Sequence, residues 1–160
     1  MADYNWERLS NIQLGRFAEY YAKMELASYG LDIYTSEVDD HGVDFVAKVN
    51  KERFVEFQVK SKLKTDYVFV SRRHFSIEKD NLFLFLIIFE AHHSPQCFII
   101  PATAWNQTND LLRFREYEDL KSEPEYGLNL SKKNMHLLEE YRIEKIMSEY
   151  FGIKQGNIIK

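Results

Sequence analysis

Apolar positions in this chain recur first at helical spacing and then alternate as they do in strands. Leu14, Phe17, Ala18, Tyr21, Met24 and Leu26 fall near a 3.6-residue period, with Ser10 or Asn11 as N-cap and Gly30 as the stop. This predicts a first helix. A short strand is expected over 31–36 (LDIYTS), and DDHG at 39–42 has the residues of a turn. Then VDFVAKV (43–49) and RFVEFQVKSK (53–62) read as two strands joined by NKE, with YVFVS (67–71) as the next. RRHFSIEKDN reads as a short helix or an irregular crossover. LFLFLIIF (82–89) is unbroken and apolar, the mark of a strand covered on both faces. QCFIIPA should pair with it through EAHHSP. TAWNQTNDLLRF is expected to hold one helical turn and an irregular segment. LNLSKKNMHLLEEYRIEKIMSEYF predicts a second helix, capped by Ser131 and striped by Met135, Leu138, Tyr141, Ile146 and Tyr150. Helices packed on a sheet make a mixed α/β domain.

Length and composition narrow the class. The 160 residues fit one domain, 1–160, without repeats or a Gly/Pro/Ser-rich linker. A single cysteine, Cys97, excludes an internal disulfide and argues against a Cys-based zinc site. Its setting, CFII, suits a small buried hydrophobe. No signal-peptide pattern or membrane-length apolar run is seen, so no membrane partner and a cytoplasmic location are expected. The net charge of −4 argues mildly against nucleic acid. Its distribution changes that picture. Residues 48–73 carry eight Lys and Arg against three Asp and Glu, a net +5, within an otherwise acidic chain. A local anion-binding face is one reading, and solvated charge is the other.

The hairpin carries the candidate chemistry. Side chains alternate along strands, so Phe54, Glu56, Gln58, Lys60 and Lys62 share a face of 53–62, and Asp44, Val46 and Lys48 share a face of 43–49. Folding about 50–52 brings Asp44 near Gln58 and Lys60. A hard divalent cation such as Mg2+, with Mn2+ as substitute, takes oxygen ligands of the kind Asp44, Gln58 and the Val59 carbonyl can supply. Lys60 could then orient water and stabilise charge developing on a phosphate.

GVDF followed by VEFQVKS resembles the core motif of the PD-(D/E)xK nuclease superfamily in its Q-x-K form. That form is seen in methylation-dependent restriction endonucleases and in bacterial nuclease-like domains. LGRFAEYYAKMELASYG resembles the first helix of resolvase-like members, with G-x-x-x-E followed by an apolar stretch and a Gly. FIIPATAW and GLNLSKKNMHLLEEY are similar to the ends of such domains. The resemblance implies a restriction-endonuclease-like core, α-β-β-β-α-β, with a mixed central sheet flanked by helices. It also implies Asp44 as principal metal ligand, Glu19 as auxiliary ligand or base, Gln58 in place of the usual Glu, and Lys60 as catalytic lysine. Val43 stands where the family's Pro would be. Gln58 removes one negative charge, which lowers metal affinity or leaves one metal instead of two.

The expected activity is metal-dependent phosphodiester hydrolysis, with DNA as partner, in defence or repair. Related nucleases often cut both strands as homodimers. The alternative is a catalytically silent module that binds nucleic acid or a partner protein. Lys62, Lys64, Arg72 and Arg73 are candidate phosphate contacts; Lys60 and Lys62 could instead snorkel from a sheet edge, and Arg72 and Arg73 could equally be a solvated surface pair. Glu19 could equally be a solvent-facing helical acid. Glu56 is more simply placed in a salt bridge, and His41, His92 and His93 in turns.

Overall fold

Ser10 starts the first helix in a computed structural model that describes residues 2–38, 41–118 and 121–154. Its hydroxyl accepts from the Gln13 N–H, and the Gln13 side chain accepts from the Ser10 N–H, a full capping box. This helix, α1 (Asn11–Ser28), buries Leu14, Ala18, Ala22 and Leu26 at every fourth position. The buried stripe is narrower than the apolar pattern suggested, since Met24 is 59% exposed. Two alanines on that stripe let the helix approach the sheet closely.

Strands β1 (Asp32–Tyr34), β2 (Phe45–Lys48) and β3 (Phe54–Lys62) follow as an antiparallel meander. The Asp39–Asp40 half of the expected turn lies outside the described residues. β4 (Tyr67–Ser71) leaves this sheet, and residues 72–81 return the chain through turns instead of a helix. β5 (Leu82–Ile88) then pairs parallel to β3, and β6 (Gln96–Pro101) pairs antiparallel to β5. The main sheet has the order β1-β2-β3-β5-β6.

A second sheet, absent from the sequence reading, has the order β4-β8-β7, with β7 (Leu112–Arg115) and β8 (Glu125–Asn129). The expected second helix is broken into 3-10 turns, α2 (Met135–Leu138) and α3 (Ile143–Glu149). LN, the start of the expected helical stretch, is the end of β8, and Ser131 makes no side-chain cap.

β5 explains its own composition. Phe83, Phe85 and Ile87 pack toward α1 and α3, while Leu82, Leu84, Leu86 and Ile88 pack toward the second sheet. Every β5 residue is buried. The result is three layers: helices, a mixed five-stranded sheet and a three-stranded sheet. No described helix is long and apolar enough to cross a membrane.

Cys97 lies in the helix-side core at 8% exposure. Burial, with smaller contributions from Glu25 and Glu144, pushes its thiol well above the ordinary value. The thiolate is therefore suppressed at neutral pH. Iodoacetamide at pH 8 should leave Cys97 unmodified in the native protein and alkylate it in urea; fast native labelling would contradict its burial.

Candidate active site

The site is built where β2 runs out alongside β3. Phe45 is directly opposite Phe57, yet the Asp44 N–H also donates to the Phe57 carbonyl at 2.9 Å. Asp44 and Phe45 thus share one partner, the two-against-one arrangement of a β-bulge, which re-aims a side chain at a sheet edge. The Asp44 carboxylate continues the ladder where the backbone stops: Oδ2 accepts from the Val59 N–H at 2.6 Å. A backbone N–H held by an ionised acceptor makes a short, strong bond. The Val59 carbonyl points to the same side as its N–H, beyond the end of β2.

Gly42 sets the approach to Asp44. Its φ is +71, and a Cβ there would lie 2.7 Å from the Cβ of His74. Only glycine satisfies both the left-handed backbone and that contact.

A cleft of about 400 Å3 opens at this edge, lined by Glu19, Gly42, Asp44, Gln58, Val59 and Lys60. Gly15, Ala18 and Ser61 complete it. Helix and hairpin thus bring together the four residues singled out for chemistry. Gly15, part of the G-x-x-x-E pattern, and Ala18, part of the apolar stripe, also line the α1 wall, a role the sequence reading did not give them.

The polar groups differ in their partners. Glu19 is half-buried and ion-paired to Arg16 at 2.7 Å. Lys60 is half-buried and makes no ion pair among the described residues. Gln58 Oε1 is sealed from solvent and has no hydrogen-bond partner among the described residues. An unpaired buried acceptor costs about 1–3 kcal/mol, which a water or an ion bound at this oxygen would offset. A hard cation fits this donor set of carboxylate, amide and carbonyl oxygens. No group of three or more His, Cys, Asp or Glu side chains suited to a metal occurs among the described residues. Any cation here would therefore rely on neutral oxygens as well as carboxylates.

The other candidates sit outside the cleft. Lys62 pairs with Asp66 at 3.5 Å, Lys64 with Glu7 at 3.1 Å, Arg72 with Glu116 at 3.8 Å and Arg73 with Glu123 at 3.9 Å. Glu56 pairs with Lys79 at 3.1 Å, which accounts for it without a metal. His92 and His93 lie in an exposed turn.

The fold, a mixed sheet with flanking helices, is similar to that of a solved resolvase. Hjc, a Holliday junction resolvase from the archaeal hyperthermophile Archaeoglobus fulgidus, superposes with a TM-score of 0.53 at 14% identity, covering 87% of this chain and 96% of its own. A bacterial homing endonuclease superposes with a TM-score of 0.47 at 20% identity, covering 72% of this chain and 82% of its own. No protein-family model matches the sequence, and no curated protein matches it.

Proposed function

We propose that this protein is a metal-dependent nuclease that hydrolyses phosphodiester bonds in DNA. The observation that carries the reading is the shared cleft of Glu19, Asp44, Gln58, Val59 and Lys60, in which the lysine has no ion-pair partner among the described residues. Asp44, the Gln58 amide oxygen and the Val59 carbonyl would hold Mg2+ or Mn2+, with Glu19 as an auxiliary ligand. When bound, the cation supplies Lewis-acid polarisation of the phosphoryl group. Lys60 donates to the attacking water and to the phosphate oxygens, where charge grows as the bond breaks. Asp44 ties the cleft to the backbone through Val59, so its carboxylate orients the edge as well as binding.

Lys62, Lys64, Arg72 and Arg73, outside the cleft, would contact the phosphates of the bound strand. Their present ion pairs are exposed or partly exposed, and such pairs contribute only about 0–1 kcal/mol. Phosphate can displace them at little cost.

The silent-module reading is favoured by two features, the Gln at position 58 and the Glu19–Arg16 pair, which leave few charges for a metal. Melting in Mg2+ and Mn2+ separates the two. At a free cation concentration ten times Kd, binding stabilises the native state by about 1.4 kcal/mol. That raises the midpoint by about 3–6 °C in a domain of this size. The shift should appear in the wild type, grow in Gln58→Glu and vanish in Asp44→Ala. No cation-induced shift in any of the three, with no cleavage of duplex, branched or single-stranded DNA, would leave only the silent module.

A further inference from the structure

The outer face of the second sheet holds a second cleft of about 460 Å3, lined by Tyr67, Phe69, Ser71, Arg115, Tyr117 and Glu125. Its floor is a carboxylate: Glu125 is only 7% exposed. Tyr67 and Tyr117 both donate their hydroxyls to Glu125 Oε1, at 3.0 and 2.9 Å. Oε2 accepts no hydrogen bond among the described residues. Burial and the bond to Glu125 raise the Tyr67 hydroxyl far above its ordinary pKa, so it stays a donor. An acceptor set into a largely buried side chain thus faces an aromatic cleft.

The walls suit a flat ring. Gly127 lets Tyr67 lie down on the sheet, for a Cβ there would be 2.0 Å from the Tyr67 hydroxyl. Tyr67 and Phe69 stack at 6.3 Å, and Phe69 remains 52% exposed. A cationic ligand is disfavoured, because the Arg115 guanidinium already covers Tyr67 at 4.1 Å. Arg113 and Arg115 are exposed on β7 and favour an anion. The carboxylate at the rim, Glu123, is engaged by the Ser71 hydroxyl at 3.0 Å and by Arg73.

The chain leads from Ser71 in this cleft to a separate groove whose residues neighbour those of the candidate active site in sequence. Arg73 and His74 line that groove with His41 and Val43. His74 packs against Gly42, which lines the Asp44 cleft.

We propose that this cleft holds an unpaired nucleobase of a single-stranded segment, stacked on Phe69 and donating an exocyclic amino group to Glu125 Oε2. The inference rests on the proposed function only in taking that strand to be the nuclease's substrate. Aromatic stacking binds any base; the carboxylate favours adenine, cytosine or guanine, whose exocyclic amino group reaches it, over thymine, whose one donor, N3–H, lies between two carbonyls that a carboxylate repels.

The test is binding of the pentadeoxynucleotides TTXTT, with X as each of the four bases, to the full chain in EDTA by fluorescence titration. Amino-bearing bases should bind about tenfold more tightly than thymine. Phe69→Ala, at a half-exposed position, should weaken all four by about tenfold without changing the melting midpoint. Glu125→Gln should reverse the preference. The two tyrosine hydroxyls hold the amide oxygen in place of Oε1, which puts the NH2 donor where Oε2 was. Equal affinity for all four bases, or indifference to both substitutions, overturns the proposal. A mononucleotide such as dCMP competing as well as the pentamer overturns the strand and assigns the cleft to a free nucleotide. Base preference without any cleavage in Mg2+ removes the nuclease reading alone; cleavage without base preference removes this one alone.

Discussion

Lys60→Ala should lower the rate of phosphodiester cleavage in Mg2+ by at least about 10²–10³-fold, the usual cost of removing a group that stabilises transition-state charge. The substitution is a clean probe because Lys60 holds no ion pair among the described residues, so its loss leaves no carboxylate stranded. The melting midpoint should therefore move little. Asp44→Ala should abolish activity at least as fully, but it also strips the Val59 N–H of its acceptor and costs about 1–3 kcal/mol. Asp44→Asn separates the two effects: the amide oxygen can still accept from Val59, while the charge is gone. Single-turnover cleavage of labelled duplex and branched DNA, beside melting curves, checks all three. Wild-type rates in Lys60→Ala and Asp44→Asn would remove the site assignment.

The convergence tested by those variants was legible because it depends on local order. Alternation over 43–49 and 53–62 and the polar NKE between them specify a hairpin, and a hairpin fixes register. The observed pairing of Phe45 with Phe57 and Val46 with Glu56 leaves Asp44 beside Gln58 and Val59. The bulge at Asp44 was not legible, since it changes hydrogen bonding without changing the apolar pattern.

The second sheet escaped for a different reason. EYGLN has a glycine at its centre, and LRFR exposes three of its four residues, so neither shows a strand's usual contrast. Their stability comes from elsewhere in the chain: Leu128 and Tyr126 pack under β5 and β6, and the Trp105 indole donates to the Gly127 carbonyl at 3.2 Å. The C-terminal helix misled in the opposite sense. Its apolar period runs on through 135–150, but Arg142 adopts an extended conformation and bridges to Phe98, splitting the helix there. Leu138 packs into the core on one side of the sheet and Ile146 into the other, so one apparent stripe serves two layers.

Removal of the ring beneath the site should have the largest effect on stability. Phe57 is fully buried, with its ring centroid 5.1 Å from that of Phe45, 5.6 Å from Phe83 and 6.2 Å from Phe85. Phe57→Ala should cost about 3–5 kcal/mol, from lost burial and the cavity left among rings that cannot collapse fully into it. At about 2–4 °C per kcal/mol, the midpoint should fall by about 6–20 °C. Phe57→Leu keeps most of the volume and should fall much less. The same residue also supplies the carbonyl that holds the Asp44 N–H, so packing under the sheet and aim at its edge share one position. At a temperature where Phe57→Ala is still folded, loosened packing should weaken cation binding, read as a smaller Mn2+ shift than in the wild type. A midpoint lowered by less than about 3 °C would mean that this ring does not anchor β3, and the cleft beside it would then need another source of rigidity.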